Sequence, residues 1–501
     1  MQTTTTSTAV AADDSESVII QMASTDSATE EIAQLAAQAL GQRSLLLSAR
    51  ECLPPDRAPE ATITQATPRP LLHGESAALL SSLIARTEGA PHAPSYGELE
   101  HDAHRRLEPL LDNQRVQAAL AARGVEPEQA VTDLMSAGAI AVDLSPDDVK
   151  ALIEEVPDIA TIHANRRLRV PPVGEVLNVP EEVRETRIAS WGLKAINALA
   201  TWGAYGARGA GATVAVLDTG VDPTHPDLTG KIKAWEEFDD HGHPVPGSTP
   251  HDGDKHGTHV AGTIAGGNAS GQWIGVAPEA KLACGKVLGP NGGTDAQILA
   301  GITWATNQEV DVISMSLGGL TFEREMLPTY TEAIVKAVLK GIPVVIAIGN
   351  EGSQTSGLPG NDLFALAVGA TDVHDRPAGF SGGGTKVVTK SKFVKPELLP
   401  LPYSKPDISA PGVAVVSSVP GGGWAALSGT SMATPHVAGA LALLISATDI
   451  KSVEMSKRAL TLSDVMAGSV EELGESGQDH RYGVGRIDVL RAIDLAKERG
   501  Y

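Results

Sequence analysis

Three short stretches of this sequence carry residue types suited to acyl transfer. Asp218 closes the apolar run TVAVL and is followed by Thr219 and Gly220, so its carboxylate would sit on a rigid strand end. His256 opens HGTHVAGTIAGG, a run of small residues that can pack as a buried helix with the imidazole at its start. Ser431 lies in GTSMATPHVAGALALLI, where Gly429 permits a close turn and a long apolar helix begins at or just after the serine. A hydroxyl nucleophile needs a base to take its proton and a buried acid to hold that base's tautomer and stabilise its cation. Ser431, His256 and Asp218 offer those three roles in that order. Each alone is more often structural, an Asp at a strand end or a Ser at a helix start. The three contexts together point to chemistry.

Such residues need a scaffold that brings strand ends and helix starts to one edge, as open parallel sheets do. From about Ile188 the chain supplies one, in TVAVLDTG, KLACGKVLG, VDVISMSLGG, IPVVIAIGN and LFALAVGA. Each is a short apolar run ending in Gly or a polar turn, the pattern of parallel strands covered on both faces. The expected fold class is α/β, with residues 188–501 forming the large domain.

Residues 1–70 are rich in Thr, Ser, Ala and Pro and are expected to be a flexible segment with one helix at EEIAQLAAQAL. Residues 71–175 read as a small α+β unit. Helical spacing recurs in ESAALLSSLIART and in LEPLLDNQRVQAALAARG, giving two helices. Then AIAVDLSPDDVKALIEEVPDIATIHANRRLRVPP gives strand, helix and strand, with Ser145 as N-cap and Pro146 at the first helical position. Residues 176–187 form a linker containing Pro180.

The bulk properties bound the partners. The 501-residue chain has a net charge of -22, and roughly two thirds of that excess precedes residue 186. Such a charge repels polyphosphate and anionic membrane surfaces, so neither nucleic acid nor membrane is an expected partner. Two cysteines, Cys52 and Cys284, are too few for a disulfide framework. The opening residues lack a basic n-region and a continuous apolar h-region, which predicts a cytoplasmic protein or export by a route other than Sec.

The segments VAVLDTGVDPTHPDL, HGTHVAGTIAG, VISMSLGG, AIGNEG and GTSMATPHVAGA closely resemble the subtilisin-like serine proteases, the subtilases or S8 peptidases. The likeness runs from about residue 186 to 495 and closes with GVGRIDVLRAI. It implies a doubly wound parallel sheet and endopeptidase activity through Asp218, His256 and Ser431, with no organic cofactor. Asn350 stands where the family places a side-chain donor to the oxyanion, the Ser431 N–H being the second. Ser316, Leu317 and Gly318 on one side, and Gly292 and Gly293 on the other, match the segments that pair with an extended substrate. Gly357 matches the back of the S1 pocket and leaves room for a large apolar side chain. Asp227 and Asp407 match carboxylates that ligate calcium in some relatives, whereas Ala269 stands where one such site would use an Asn oxygen.

The resemblance also makes residues 71–175 a propeptide, which in this family templates folding and lays its C-terminal end across the cleft. NRRLRVPP would be that end, with cleavage between about residues 165 and 190. The implied partners are protein or peptide substrates and the chain's own propeptide. A narrow-specificity regulatory protease held by a separate inhibitor protein and an inactive binding homologue are the competing readings. His241, His243, His251, His256 and His259, crowded among Asp239, Asp240, Asp252 and Asp254, match no closed zinc set and read as a solvated acidic loop. TKVVTKSKFVKPELLPLPYSK reads as an exposed insertion, and Cys284 as a buried small residue.

Overall fold

The apolar runs become the strands of one sheet in a computed structural model that describes residues 15–23, 96–170, 172–184, 188–320, 327–389 and 400–501. Its seven strands lie in the order Ile408–Pro411, Leu366–Thr371, Val344–Ala347, Val312–Met315, Thr213–Asp218, Lys281–Lys286 and Ile232–Glu237. Every neighbouring pair is parallel. Side chains alternate along a strand, so a sheet covered on both sides needs apolar residues at every position. Thr213–Asp218 meets that demand. Val214 and Val216 pack on one face with Val260, Ile264, Val437 and Leu441, while Ala215 and Leu217 pack on the other with Ile298, Ile302 and Ile334.

The first face is covered by helices His256–Ala265, Thr430–Ala447 and Val489–Glu498, the second by Asp295–Asn307 and Pro328–Leu339. Thr430–Ala447 is long and apolar enough to cross a membrane, but 89% of that window is buried inside the protein, which makes it the core helix. The expected doubly wound α/β domain is therefore present.

The N-terminal unit is a three-stranded antiparallel sheet with Glu16–Met22 in the centre, flanked by Ala139–Leu144 and Ile159–Ala164. Helices Tyr96–Leu111, Gln114–Ala122, Pro127–Asp133 and Pro146–Glu155 accompany it. Val18, Ile20, Leu107, Leu110, Val116, Leu120, Ile140 and Leu152 form its own core. Ser145 caps Pro146–Glu155 as expected, accepting from the Asp148 N–H at 3.2 Å.

Three local expectations change. Glu16–Met22 falls within the stretch 1–70 expected to be flexible, yet it is the central strand of this sheet. Its partners lie more than a hundred residues away, and strand stability is set by such pairing rather than by local propensity. LEPLLDNQRVQAALAARG is split between two helices, because Asn113 Oδ1 accepts from the Arg115 N–H at 2.9 Å and starts a new one. The lysine-rich insertion contributes two paired antiparallel strands, Gly384–Val388 and Leu401–Lys405. Its last lysine, Lys405, is buried and donates to Asp407 at 2.7 Å and to the Ala365 carbonyl at 2.8 Å. EEIAQLAAQAL, ESAALLSSLIART and Cys52 lie outside the described residues.

The N-terminal unit docks on the second face of the large sheet. Ile19, Ala137, Ala139 and Ala141 join the same apolar cluster as Tyr330, Ala333, Ile334 and Ala337. At its centre the buried Glu332 carboxylate accepts from Arg106 Nη2 at 2.7 Å, Gln21 Nε2 at 2.9 Å and Lys336 Nζ at 2.9 Å. Burial pulls the Lys336 ammonium below its ordinary range, opposed by Glu332. A buried ion pair survives only when its remaining hydrogen bonds are met, and here both chain segments supply them.

Candidate active site

Asp218 and His256 are brought together by the crossing of a strand end and a helix start. Gly220 has φ +115°, in the left-handed region, and a Cβ there would lie 2.0 Å from the His251 carbonyl oxygen. Glycine is therefore required for the chain to turn under the His256 helix. The result places His256 Nδ1 2.7 Å from Asp218 Oδ1, which also accepts from the Thr219 N–H at 2.7 Å. Burial lowers the His256 pKa, but the charge and hydrogen bond of Asp218, with further attraction from Asp252 and Asp254, outweigh it and leave the net shift upward. An imidazole held through Nδ1 presents Nε2 for proton transfer.

Ser431 is buried in the first turn of Thr430–Ala447. Its Oγ donates to the Ser316 carbonyl at 3.2 Å, and Ser316 Oγ donates back to the Ser431 carbonyl at 2.9 Å. Among the described residues His256 Nε2 has no hydrogen-bond partner. In this conformation the hydroxyl is turned onto the backbone rather than onto the base.

Asn350 is fixed by Thr430, whose N–H and Oγ1 both donate to Asn350 Oδ1 at 2.8 Å. That leaves Nδ2 as a free donor aimed into the cleft, where it meets the Pro172 carbonyl at 2.9 Å. A Cβ on Gly429 would press to 3.1 Å from this Nδ2, so the residue before the helix must be small.

The segments expected to pair with a substrate are paired here with the chain itself. Leu168 pairs with Gly293, and Arg167 with Thr294, in antiparallel register. Gly318 donates to the Arg169 carbonyl at 3.2 Å from the opposite wall. Past Pro172, Gly174–Glu175 pairs with Ser428 and Leu427. Gly292 has φ +90°, and a Cβ there would lie 2.0 Å from the Leu168 carbonyl oxygen, so glycine serves both the turn and the close approach of the strand. Ser316 lies beside Ser431, Leu317 is buried in the second apolar cluster, and Gly357 sits in a short strand paired with Leu320, behind Gly318.

One residue of the site went unrecognised in the acidic loop. Asp252 Oδ1 accepts from Thr219 Oγ1 at 2.7 Å, and its Oδ2 accepts from the Thr258 N–H at 2.8 Å and from Thr258 Oγ1 at 2.5 Å. Thr219 in turn accepts from the Gly257 N–H at 2.9 Å. Asp252 thus ties the residue after Asp218 to the helix that carries His256. Burial raises its pKa, against the hydrogen bonds from Thr258 and Thr219. The available signal was a threonine directly after Asp218 and another two residues after His256.

The histidine-rich stretch disperses. His243 is bonded to Asp133 of the N-terminal unit, while the buried His259 donates toward the Val415 and Ala425 carbonyls and is pulled down to about 3 by burial. Among the described residues no group of three or more His, Cys, Asp or Glu is placed to hold a metal. Both oxygens of Asp227 accept from N–H groups, of Ala269 and of Trp424 Nε1, and Asp407 is paired with Lys405. Calcium needs six to eight oxygens, and these surroundings do not fit it. Burial pushes the Cys284 thiol up, out of reactive range.

Residues 209–485 match the family model Peptidase S8, described as the subtilase family. The chain is 40% identical over 307 residues to an alkaline protease of Alkalihalobacillus alcalophilus, covering 61% of this chain and 68% of the relative. It is 41% identical over 287 residues to an intracellular serine protease of Paenibacillus polymyxa, covering 56% and 78%. It is 42% identical over 248 residues to subtilisin E of Bacillus subtilis, covering 48% and 57%. The chain therefore belongs to the subtilase family and is a subtilisin-like serine protease.

Proposed function

We propose that the protein is a serine endopeptidase made as a self-processing zymogen, in which Ser431 is the nucleophile, His256 the base and Asp218 the acid that orients it. The observation that carries this reading is the Pro172 carbonyl lying on Asn350 Nδ2 at 2.9 Å, because it puts a peptide carbonyl where an oxyanion would form. Rotation of Ser431 Oγ off the Ser316 carbonyl toward His256 Nε2 starts the reaction. His256 takes the proton as Oγ bonds to the carbonyl carbon, and the oxyanion is held by Asn350 Nδ2 and the Ser431 N–H. First-turn N–H groups lack partners within their helix, so that second donor is available. Collapse breaks the C–N bond, the imidazolium gives its proton to the leaving amine, and water later hydrolyses the acyl-enzyme by the same path in reverse.

In the zymogen the bond so presented is Pro172–Val173. Intact mass and N-terminal sequencing test this: wild type is expected to yield a new terminus at Val173, and Ser431→Ala a single uncut chain. Trimming in Ser431→Ala at the wild-type position would refute self-processing, and a terminus elsewhere would refute the bond assignment. The geometry supports inhibition by the chain's own N-terminal unit, with Arg167–Leu168 and Gly174–Glu175 holding both sides of the cleft.

A further inference from the structure

The segment lying along the cleft is a bound polypeptide, and its side chains report what the walls accept. Leu168 is 6% exposed and joins the apolar cluster of Leu288 and Leu317. Gly319 makes room for it, since a Cβ there would lie 2.8 Å from Leu168 Cδ2. Two arginines precede this anchor, and each meets a carboxylate of the catalytic domain.

Asp295 is 0% exposed. One of its oxygens accepts from the Arg166 N–H at 3.1 Å and from Arg166 Nε at 2.9 Å, while Tyr330 OH donates to the other at 2.8 Å. The Asp295 N–H donates to the Arg166 carbonyl at 2.8 Å, closing the pair through the backbone as well. Arg167 forks onto Asp240, with Nη1 at 3.3 Å from Oδ1 and Nη2 at 2.5 Å from Oδ2. When the threaded segment leaves, Asp295 keeps the Tyr330 hydroxyl but loses its cation and the Arg166 N–H. An incoming chain with a basic side chain at that place restores the charge-assisted bonds and covers the carboxylate again.

We propose that the cleft selects polypeptides with two consecutive basic residues immediately ahead of an apolar residue seated against Gly293. Asp295 and Asp240 are the specificity residues, Asp295 reading the first basic side chain and Asp240 the second. The inference rests on the reading that residues 166–176 follow the path of a substrate. Of the two contacts, the buried one at Asp295 dominates, because the exposed fork at Asp240 is worth only about twofold.

The test uses the processed enzyme and internally quenched peptides that differ only in Arg-Arg, Ala-Ala or Glu-Glu ahead of a fixed leucine. The expected kcat/KM for Arg-Arg is about tenfold above Ala-Ala, with Glu-Glu lowest. Asp295→Asn is expected to reduce the Arg-Arg advantage to about the twofold left by Asp240. Because Asp295→Asn also disturbs Tyr330, Asp240→Lys on the exposed loop gives an independent readout, expected to reverse the order of an Arg-Arg and an Arg-Glu peptide. Equal rates on the three peptides would overturn the charge selection while leaving the protease intact. Failure to cleave any of them, by enzyme that still reacts with a fluorophosphonate at Ser431, would overturn the substrate path itself.

Discussion

The two faces of the large sheet are both buried but are completed from different sources. On the first face, every fully buried residue of the cluster lies at or after Ala189, and the helices there carry His256 and Ser431. On the second, Ile19, Leu134, Ala137, Ala139, Ala141 and Leu168 from the N-terminal part are built into the same cluster as Ile298 and Ile334. The helix on that side starts at Asp295, next to the Gly292 and Gly293 wall of the cleft. On the proposed reading, chemistry is anchored where the catalytic domain is self-sufficient and recognition where it borrows a surface.

The largest effect that would break this comparison is on stability. In the uncut Ser431→Ala background, Glu332→Ala takes the buried carboxylate from Lys336 and leaves Arg106 with Asp102, and is expected to cost about 3 kcal/mol, read by denaturant unfolding. In processed enzyme, where Arg106 is gone and the remaining pair meets water, the same change is expected to cost less than about 1 kcal/mol. Val437→Ala, on the first face, should cost about 2 kcal/mol in both forms. Equal losses for Glu332→Ala before and after processing would show that the two faces do not differ in this way.

Next in size is Asn350→Ala, which removes the donor now on Pro172 and leaves the peptide walls untouched. Turnover is expected to fall by about a hundredfold or more with KM nearly unchanged. A rise in KM without loss of kcat would move Asn350 from chemistry to recognition. The smallest effect belongs to Asp252→Asn. His256 is faced by Asp218, Asp252, Asp254 and His259, and the three carboxylates favour its cation. A base must be neutral to act, so activity disappears as pH falls through the His256 pKa. Removing the Asp252 charge lowers that pKa, and the acid limb of the kcat/KM profile is expected to move to lower pH, with kcat reduced about tenfold through lost alignment. An unmoved limb would make Asp252 purely structural.

How much of this was legible in the sequence follows the range of the interactions. Asp218, His256 and Ser431 each sit in a local pattern, and the strand end and two helix starts it predicts are those of the structure. Asn350 and the Gly292, Gly293 and Gly318 walls were placed by likeness of motif. What escaped depends on partners far along the chain. Glu16–Met22 becomes a strand only through Ala139–Leu144 and Ile159–Ala164. Glu332 and Lys336 look like ordinary polar positions of an exposed helix until Arg106 and Gln21 cover them. Asp252 looked like one more loop carboxylate because its work is done by Thr219 and Thr258, on either side of a chain crossing.

The strand at Gly174–Glu175 has a kinetic consequence. Cutting Pro172–Val173 would separate the two arms in the cleft but would not empty it, since the downstream arm is still covalently joined to the enzyme through residues 176–187. Glu175 is paired with Lys255, and the Val176 N–H donates to the Ala426 carbonyl at 2.9 Å. A tethered arm competes at an effective concentration in the millimolar range, which no dilution reduces. The newly made enzyme would therefore begin life occupied on its leaving-group side by its own first residues. Its initial velocity would show a lag, independent of protein concentration, set by how fast that arm peels away.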